Sequence, residues 1–373
     1  MSRPESEAEL AERVAAARGP LCIQGGGTRG LSVSGDLLSV SGLRGVALYE
    51  PGALTLVARA GTPVAEIETL LAGENQRLAF EPMDHRGLMG TTGEPTIGGV
   101  FAANISGPRR VQSGAARDHL LGVRFVDGAG QVVKNGGRVM KNVTGYDLVK
   151  LMAGAHGTLG VLSEVSLKVL PRAQCSGTLV WSGLDFQESL RVFCAALKSP
   201  FDVTGAARLP QQGESPARTL IRVEGFEASV EYRMQELCQL FADQKPDDLL
   251  MGGPDTDRLW RAVRDVAPFH GRAGSVWKTS VKPTDMTRVT ACSDYEHVID
   301  WGGGLIWTLA PPGVDLRSQL AGVDGHVTLI RAPQDDLLKF GRFHPQPPVL
   351  SKLAGDLRKR FDPRGILNPG VMG

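Results

Sequence analysis

Residues 22–30 read CIQGGGTRG, and Gly25, Gly27 and Gly30 stand in G-x-G-x-x-G spacing behind the short apolar run 21–23. Glycines so placed let a backbone approach a phosphate closely, because no Cβ shields its N–H groups. Glu50 follows about 20 residues later, where the ribose-binding acid of a dinucleotide fold would stand. That fold also needs a helix opening at the last glycine. The segment that follows, LSVSGDLLSVSGLRGVALYE, is cut by Gly35, Gly42 and Gly45 and carries Ser32, Ser34, Ser39 and Ser41. Those serines compete for backbone hydrogen bonds, and no 3.6-residue apolar stripe survives. The stretch therefore predicts a glycine-rich bend without the Rossmann helix, and Glu50 reads as the end of a surface strand.

Other chemistry-bearing residues are dispersed. The five cysteines, Cys22, Cys175, Cys194, Cys238 and Cys292, form no C-x-x-C pair, which excludes iron–sulfur and zinc-knuckle spacings within this chain. They read as buried free thiols. The seven histidines make neither H-E-x-x-H nor H-x-H, so no metal site is expected. With 41 basic against 40 acidic residues the net charge is +1, which leaves no electrostatic footprint for nucleic acid. No run reaches the ~20 apolar residues of a membrane helix. The acidic start MSRPESEAELAER has no apolar signal-peptide core. A cytoplasmic protein is expected, or one held at the inner membrane through partner subunits.

The elements that must position these residues follow from periodicity. ESEAELAERVAAAR (5–18) reads as a helix stopped by Gly19-Pro20, and residues 21–23 as a strand into the glycine bend. VALYEPGALTLVARA (46–60) reads as two strands around Pro51-Gly52, and VAEIETLLAG (64–73) as a helix. Residues 80–117 form a long irregular segment, far beyond the usual ~4–6-residue connection, and such segments are often functional. A hairpin follows at 120–134, a helix at 145–155, and a strand at 161–170 with alternating apolar residues. After residue 172 strands and amphipathic helices mix, as in a small antiparallel sheet with helices on one face. Residues 333–348, rich in proline, read as a linker before a last helix and the tail DPRGILNPGVMG.

Taken in order, GGGTRG, TIGGVFAANISG, GPRR, KNVTGYDLVKLMAGAHGTLGVLSEVSLKVLP, IDWGGGLIW and FDPRGILNPG resemble the flavoproteins of the vanillyl-alcohol oxidase family, whose FAD domain is of the PCMH type. The likeness spans nearly the whole chain. It implies an α+β fold: a PCMH-type, two-subdomain FAD-binding domain (1–172), an inserted small α+β cap domain (173–334), and a C-terminal helix and tail (335–373) returning to the FAD domain.

The resemblance also assigns roles. Gly25, Gly26, Gly27 and Thr28 would cradle the FAD diphosphate. Thr96, Ile97, Gly98 and Gly99, with Asn104, Ser106 and Gly107, would line the other side of the cofactor. Gly157, Thr158, Gly160 and Val161 would meet the adenosine end, and Asn368 the flavin ring. Some members attach flavin through a histidine in or near the first loop. This loop has none, His85 is the nearest, and non-covalent FAD is expected.

The implied reaction is oxidation of a 2-hydroxy acid such as glycolate or D-lactate. It needs a cationic clamp for the carboxylate and a base for the hydroxyl proton. His326 and Arg331 are the first candidates, with Arg264, Lys278 and Trp301 behind them. The chain lacks the clustered histidines with which hydroxy-acid dehydrogenases of this family hold a metal. The resemblance then implies a subunit of a multi-subunit oxidase, with a second FAD-binding subunit and an iron–sulfur subunit as partners. A self-sufficient dehydrogenase and a non-catalytic electron-relay subunit are the alternatives.

Overall fold

The computed structural model describes residues 2–31, 33–138 and 145–372. The chain divides into two compact units. The first comprises Met1–Ser106, Gly114–Arg172 and Pro345–Gly373, and the second Gly107–Ser113 and Ala173–His344.

In the first unit a five-stranded sheet runs in the order Val46–Glu50, Thr55–Arg59, Val161–Lys168, Leu120–Val126, Val132–Gly136, each neighbour antiparallel. The alternation of Val161–Lys168 predicts one buried face. Both faces are in fact buried, with only Glu164 and Lys168 partly exposed. The reason is that two cores meet on this central strand. Val165 and Leu167 pack with Ile67 and Leu71 of the helix Val64–Gly73 and with Ile97 and Phe101. Val161 packs with Leu10 and Val14 of the N-terminal helix Glu7–Ala16. Ser163 lies between, and its hydroxyl donates to the Glu7 carboxylate at 2.5 Å. Glu7 also pairs with Arg124, and that hydrogen bond holds its carboxyl below the usual range.

The strand Leu21–Gln24 sits beside Asp36–Ser39 in a parallel pair. The C-terminal tail returns to it, with Leu21 bridged to Leu367. This is how residues more than three hundred positions apart come to one edge.

The second unit is built on an eight-stranded sheet. Its order is Asp248–Met251, Cys175–Ser182, Arg218–Gly225, Val203–Leu209, Glu296–Asp300, Leu305–Ala310, Ser275–Val281, Gly325–Arg331. Helices Phe186–Lys198 and Glu227–Leu240 contribute Val192, Phe193, Val230, Met234 and Leu237 to a core with Trp181, Ile221, Trp277 and Ile306. Asp185 and Glu188 close a reciprocal capping box at the start of the first of these helices.

Several expectations are corrected. The sheet is larger than expected, because strands such as Val203–Leu209 are buried at every position and show no alternation to read. The segment 80–117 is not wholly irregular: it holds the short helices Arg86–Met89, Ile97–Ala102, Arg110–Ser113 and Ala116–His119. The expected linker 333–348 contains the helix Gln334–Phe340. The helix expected over 145–155 is confined to Leu148–Met152, and residues 141–144 of KNVTGYDL lie outside the described residues. All five cysteines are free, but only Cys22 is buried and Cys292 is exposed.

Candidate cofactor cleft and substrate face

The strand Leu21–Gln24 delivers the bend Gly25–Thr28 into a cleft of the first unit. Its walls include Arg29, Met83, His85, Thr96, Gly99, Val100 and Ile105. A Cβ on Gly25 would lie 2.2 Å from Thr96 Oγ1, and one on Gly26 would lie 1.5 Å from the Glu94 carbonyl oxygen. The glycines are needed first because two loops pack backbone to backbone. Gly27 has φ +68, a left-handed conformation that glycine adopts without strain. Among the described residues, no acceptor is found for the N–H groups of Gly26, Gly27 and Thr28. Three successive unpaired N–H donors on a glycine bend that lines the same cleft as Arg29 are the groups an anion-binding nest uses.

Thr96 caps the short helix Ile97–Ala102, its hydroxyl accepting from Gly99 N–H at 3.3 Å. Ile97 and Gly98 turn away from the cleft: Ile97 is fully buried in the core, and a Cβ on Gly98 would meet Ala60. Asn104 adopts a left-handed backbone, φ 50, and its Oδ1 accepts from Arg117 N–H at 2.9 Å. The Ser106 hydroxyl accepts from Ala116 N–H. Both side chains thus brace the loop through Ile105. Gly107 belongs to the second unit, where its carbonyl accepts from the Trp301 indole N–H at 3.0 Å. Gly157 (φ 74) and Thr158 form a turn in which the Thr158 hydroxyl donates to Ala155. Gly160 packs on the Phe125 ring, and Val161 begins the central strand. Asn368 is buried, and its side chain bonds Ile23 N–H and the His156 carbonyl. Sequence reasoning missed Arg29 and Met83 as cleft walls; only the adjacency of Arg29 to the glycines hinted at them.

The second unit gathers some of the catalytic candidates and separates others. His326 pairs across from Ser280, and Lys278 from Thr328. Lys278 and His326 are therefore diagonal neighbours on one face, roughly 7–8 Å apart at Cα. Lys278 also pairs with Trp307. Its ammonium lies 5.8 Å from the Trp301 ring and 5.7 Å from the Trp307 ring. The Arg110 guanidinium sits 4.3 Å above Trp301. Arg331 is five residues along the strand from His326, roughly 17 Å. Its guanidinium donates to the carbonyls of Phe269 (3.0 Å) and Arg272 (2.7 Å), and burial lowers its pKa. Arg264 is paired with its neighbour Asp265. Among the described residues no group of three histidine, cysteine, aspartate or glutamate side chains could hold a metal. Nor is any helix among them long and apolar enough to cross a membrane.

Residues 1–136 match the family of the FAD binding domain. The chain is 34% identical over 359 residues to the glycolate oxidase subunit GlcE of Escherichia coli, covering 95% of this chain and 92% of that one. A segment of 85 residues, 23% of this chain and 18% of the other, is 38% identical to the glycolate oxidase subunit GlcD of Bacillus subtilis. In fold the chain is similar to alkyldihydroxyacetonephosphate synthase, with a TM-score of 0.70 at 14% identity, over 98% of this chain and 75% of that one.

The family match and these relatives define an FAD-dependent oxidoreductase with a PCMH-type FAD domain, and FAD is its cofactor. Within that class the chain belongs to the family of the glycolate oxidase subunit GlcE.

Proposed function

We propose that this chain is the FAD-binding subunit of a multi-subunit oxidase that dehydrogenates glycolate or a close 2-hydroxy acid. The observation that carries the reading is the glycine bend Gly25–Thr28, with three N–H donors that have no acceptor among the described residues, lining one cleft with Arg29. A diphosphate is the ligand such a nest fits. Thr96 and Gly99 form the opposite wall. FAD, when bound, supplies the two-electron acceptor for the substrate's Cα–H bond. The likeness to proteins named as subunits supports an assembly. The absence of clustered cysteines fits a chain whose electrons leave through an iron–sulfur partner.

In the second unit Lys278 is the carboxylate clamp this reading favours. Its ammonium stands among Trp301 and Trp307, with Arg110 on the far ring. Aromatic walls displace water and strengthen the attraction for an anion. His326, its diagonal neighbour across the strand pair, is the base this reading favours for the hydroxyl proton. Arg331, with two backbone carbonyls already in its fork, serves as a brace.

The test is an anaerobic titration of the FAD-loaded assembly with glycolate, following flavin absorbance. Wild type should bleach. Lys278→Met should need at least tenfold more glycolate, and His326→Gln should bleach slowly at unchanged affinity. Bleaching identical to wild type in both variants would defeat the assignment.

A further inference from the structure

Asn368 occupies an unusual position for a residue expected to face the flavin. It is 5% exposed and has φ 42. Its Oδ1 accepts from the Ile23 N–H at 2.7 Å, and its Nδ2 donates to the His156 carbonyl at 2.8 Å. Its own N–H donates to the Leu21 carbonyl at 3.1 Å. The side-chain amide accepts at its oxygen and donates at its nitrogen without carrying charge. It thereby ties three chain segments: the strand feeding the glycine bend, the turn at 156–158, and the C-terminal tail. The tail is itself fixed. Arg358 donates to the carbonyls of Leu367 (2.7 Å) and Asn368 (3.0 Å). The Asp362 carboxylate accepts from Leu367 N–H at 2.8 Å. Ile23, two residues before Gly25, lines the cleft, so a shift there moves the nest.

We infer that Asn368 is a positioning residue that locks the glycine bend to the 156–158 turn and sets the bend for FAD. This rests on the reading that Gly25–Thr28 is the diphosphate site. In a flavin contact the amide would face the ring. Here both of its ends are turned to main chain.

The experiment compares Asn368→Gly and Asn368→Asp with wild type in the full chain. Glycine relaxes the left-handed backbone, so any loss belongs to the amide. Aspartate keeps an acceptor for Ile23 but turns an oxygen toward the His156 carbonyl. Amide exchange, FAD affinity and the reduction potential of bound flavin are read on each. Asn368→Gly should speed exchange at least tenfold at Ile23 and around 156–158, and weaken FAD at least tenfold. Asn368→Asp should speed exchange around 156–158 and spare Ile23, with an intermediate loss of FAD. The potential should stay at its wild-type value in both. A shifted potential with unchanged exchange at Ile23 would make Asn368 a flavin contact and overturn the inference. Faster exchange with unchanged FAD affinity would also overturn it. Gly27→Asp separates the two readings: its Cβ meets only Gln24 Oε1, at 3.6 Å, and a charge there should repel the diphosphate. Normal FAD binding by that variant would remove the nest itself, and the inference with it.

Discussion

Gly26 and Glu94 pack main chain to main chain so closely that a Cβ on Gly26 would lie 1.5 Å from the Glu94 carbonyl oxygen. No rotamer relieves such an overlap, so one loop must move. Gly26→Ala should therefore displace the bend and yield chain with little bound FAD. Gly27→Ala adds a methyl in nearly open space and costs only the strain of its positive φ, about 1 kcal/mol. The bend should keep its place, and the methyl should crowd the diphosphate only modestly, so this variant should hold more FAD than Gly26→Ala and less than wild type. Flavin content per chain after purification checks both, and a fully loaded Gly26→Ala protein would refute the packing argument.

How much of this was legible beforehand differs by element. The helix Val64–Gly73 has the bounds its apolar spacing and Gly73 predict. The hairpin strands and the strand into the glycine bend were equally open to reading. The glycines themselves were readable as a close approach, but the sequence could not show that Glu94 and Thr96 are what they approach. Strand Val203–Leu209 carries no period, because both its faces are covered. Lys278 and His326 stand far apart in sequence, and only the register of two antiparallel strands makes them neighbours. Long-range pairing of that kind leaves no local signal.

Arg109 and Glu224 form a bidentate pair in the second unit, with side chains 10% and 7% exposed. Arg222 reaches the same carboxylate at 3.7 Å. Removing a carboxylate shared by two buried guanidinium groups costs about 3–5 kcal/mol. Glu224→Ala should lower the urea midpoint accordingly, and Arg109→Ala should show strong coupling to it in a double-mutant cycle. A loss below about 1 kcal/mol would mean the pair is solvated in solution.

His297 is buried, with its Nδ1 3.0 Å from the Thr308 hydroxyl. Desolvation, helped by the nearby Arg208, pushes its pKa down from 6.5 to about 4. The unfolded chain therefore binds a proton there that the folded chain refuses. The contribution is intact above about pH 6.5 and is lost as pH falls toward 4, by about 3 kcal/mol in all. His297→Gln should be less stable at neutral pH but should show a shallower acid decline. Parallel slopes for variant and wild type between pH 6.5 and 4 would contradict the account.

His85 is buried and lines the same cleft as the glycine bend. The expected outcome is nevertheless non-covalent FAD. Acid precipitation should leave all of the flavin in the supernatant. Yellow precipitate, or a flavin-modified peptide containing His85, would contradict this.

The central claim is that FAD lies against the donors of the glycine bend. Amide hydrogen exchange on the full chain, with and without FAD, tests it most directly. The account predicts strong new protection at Gly26, Gly27 and Thr28, because these N–H groups find no acceptor within the described chain and would gain one in the diphosphate. FAD binding that protects other segments and leaves these three amides exchanging at their original rate would contradict it.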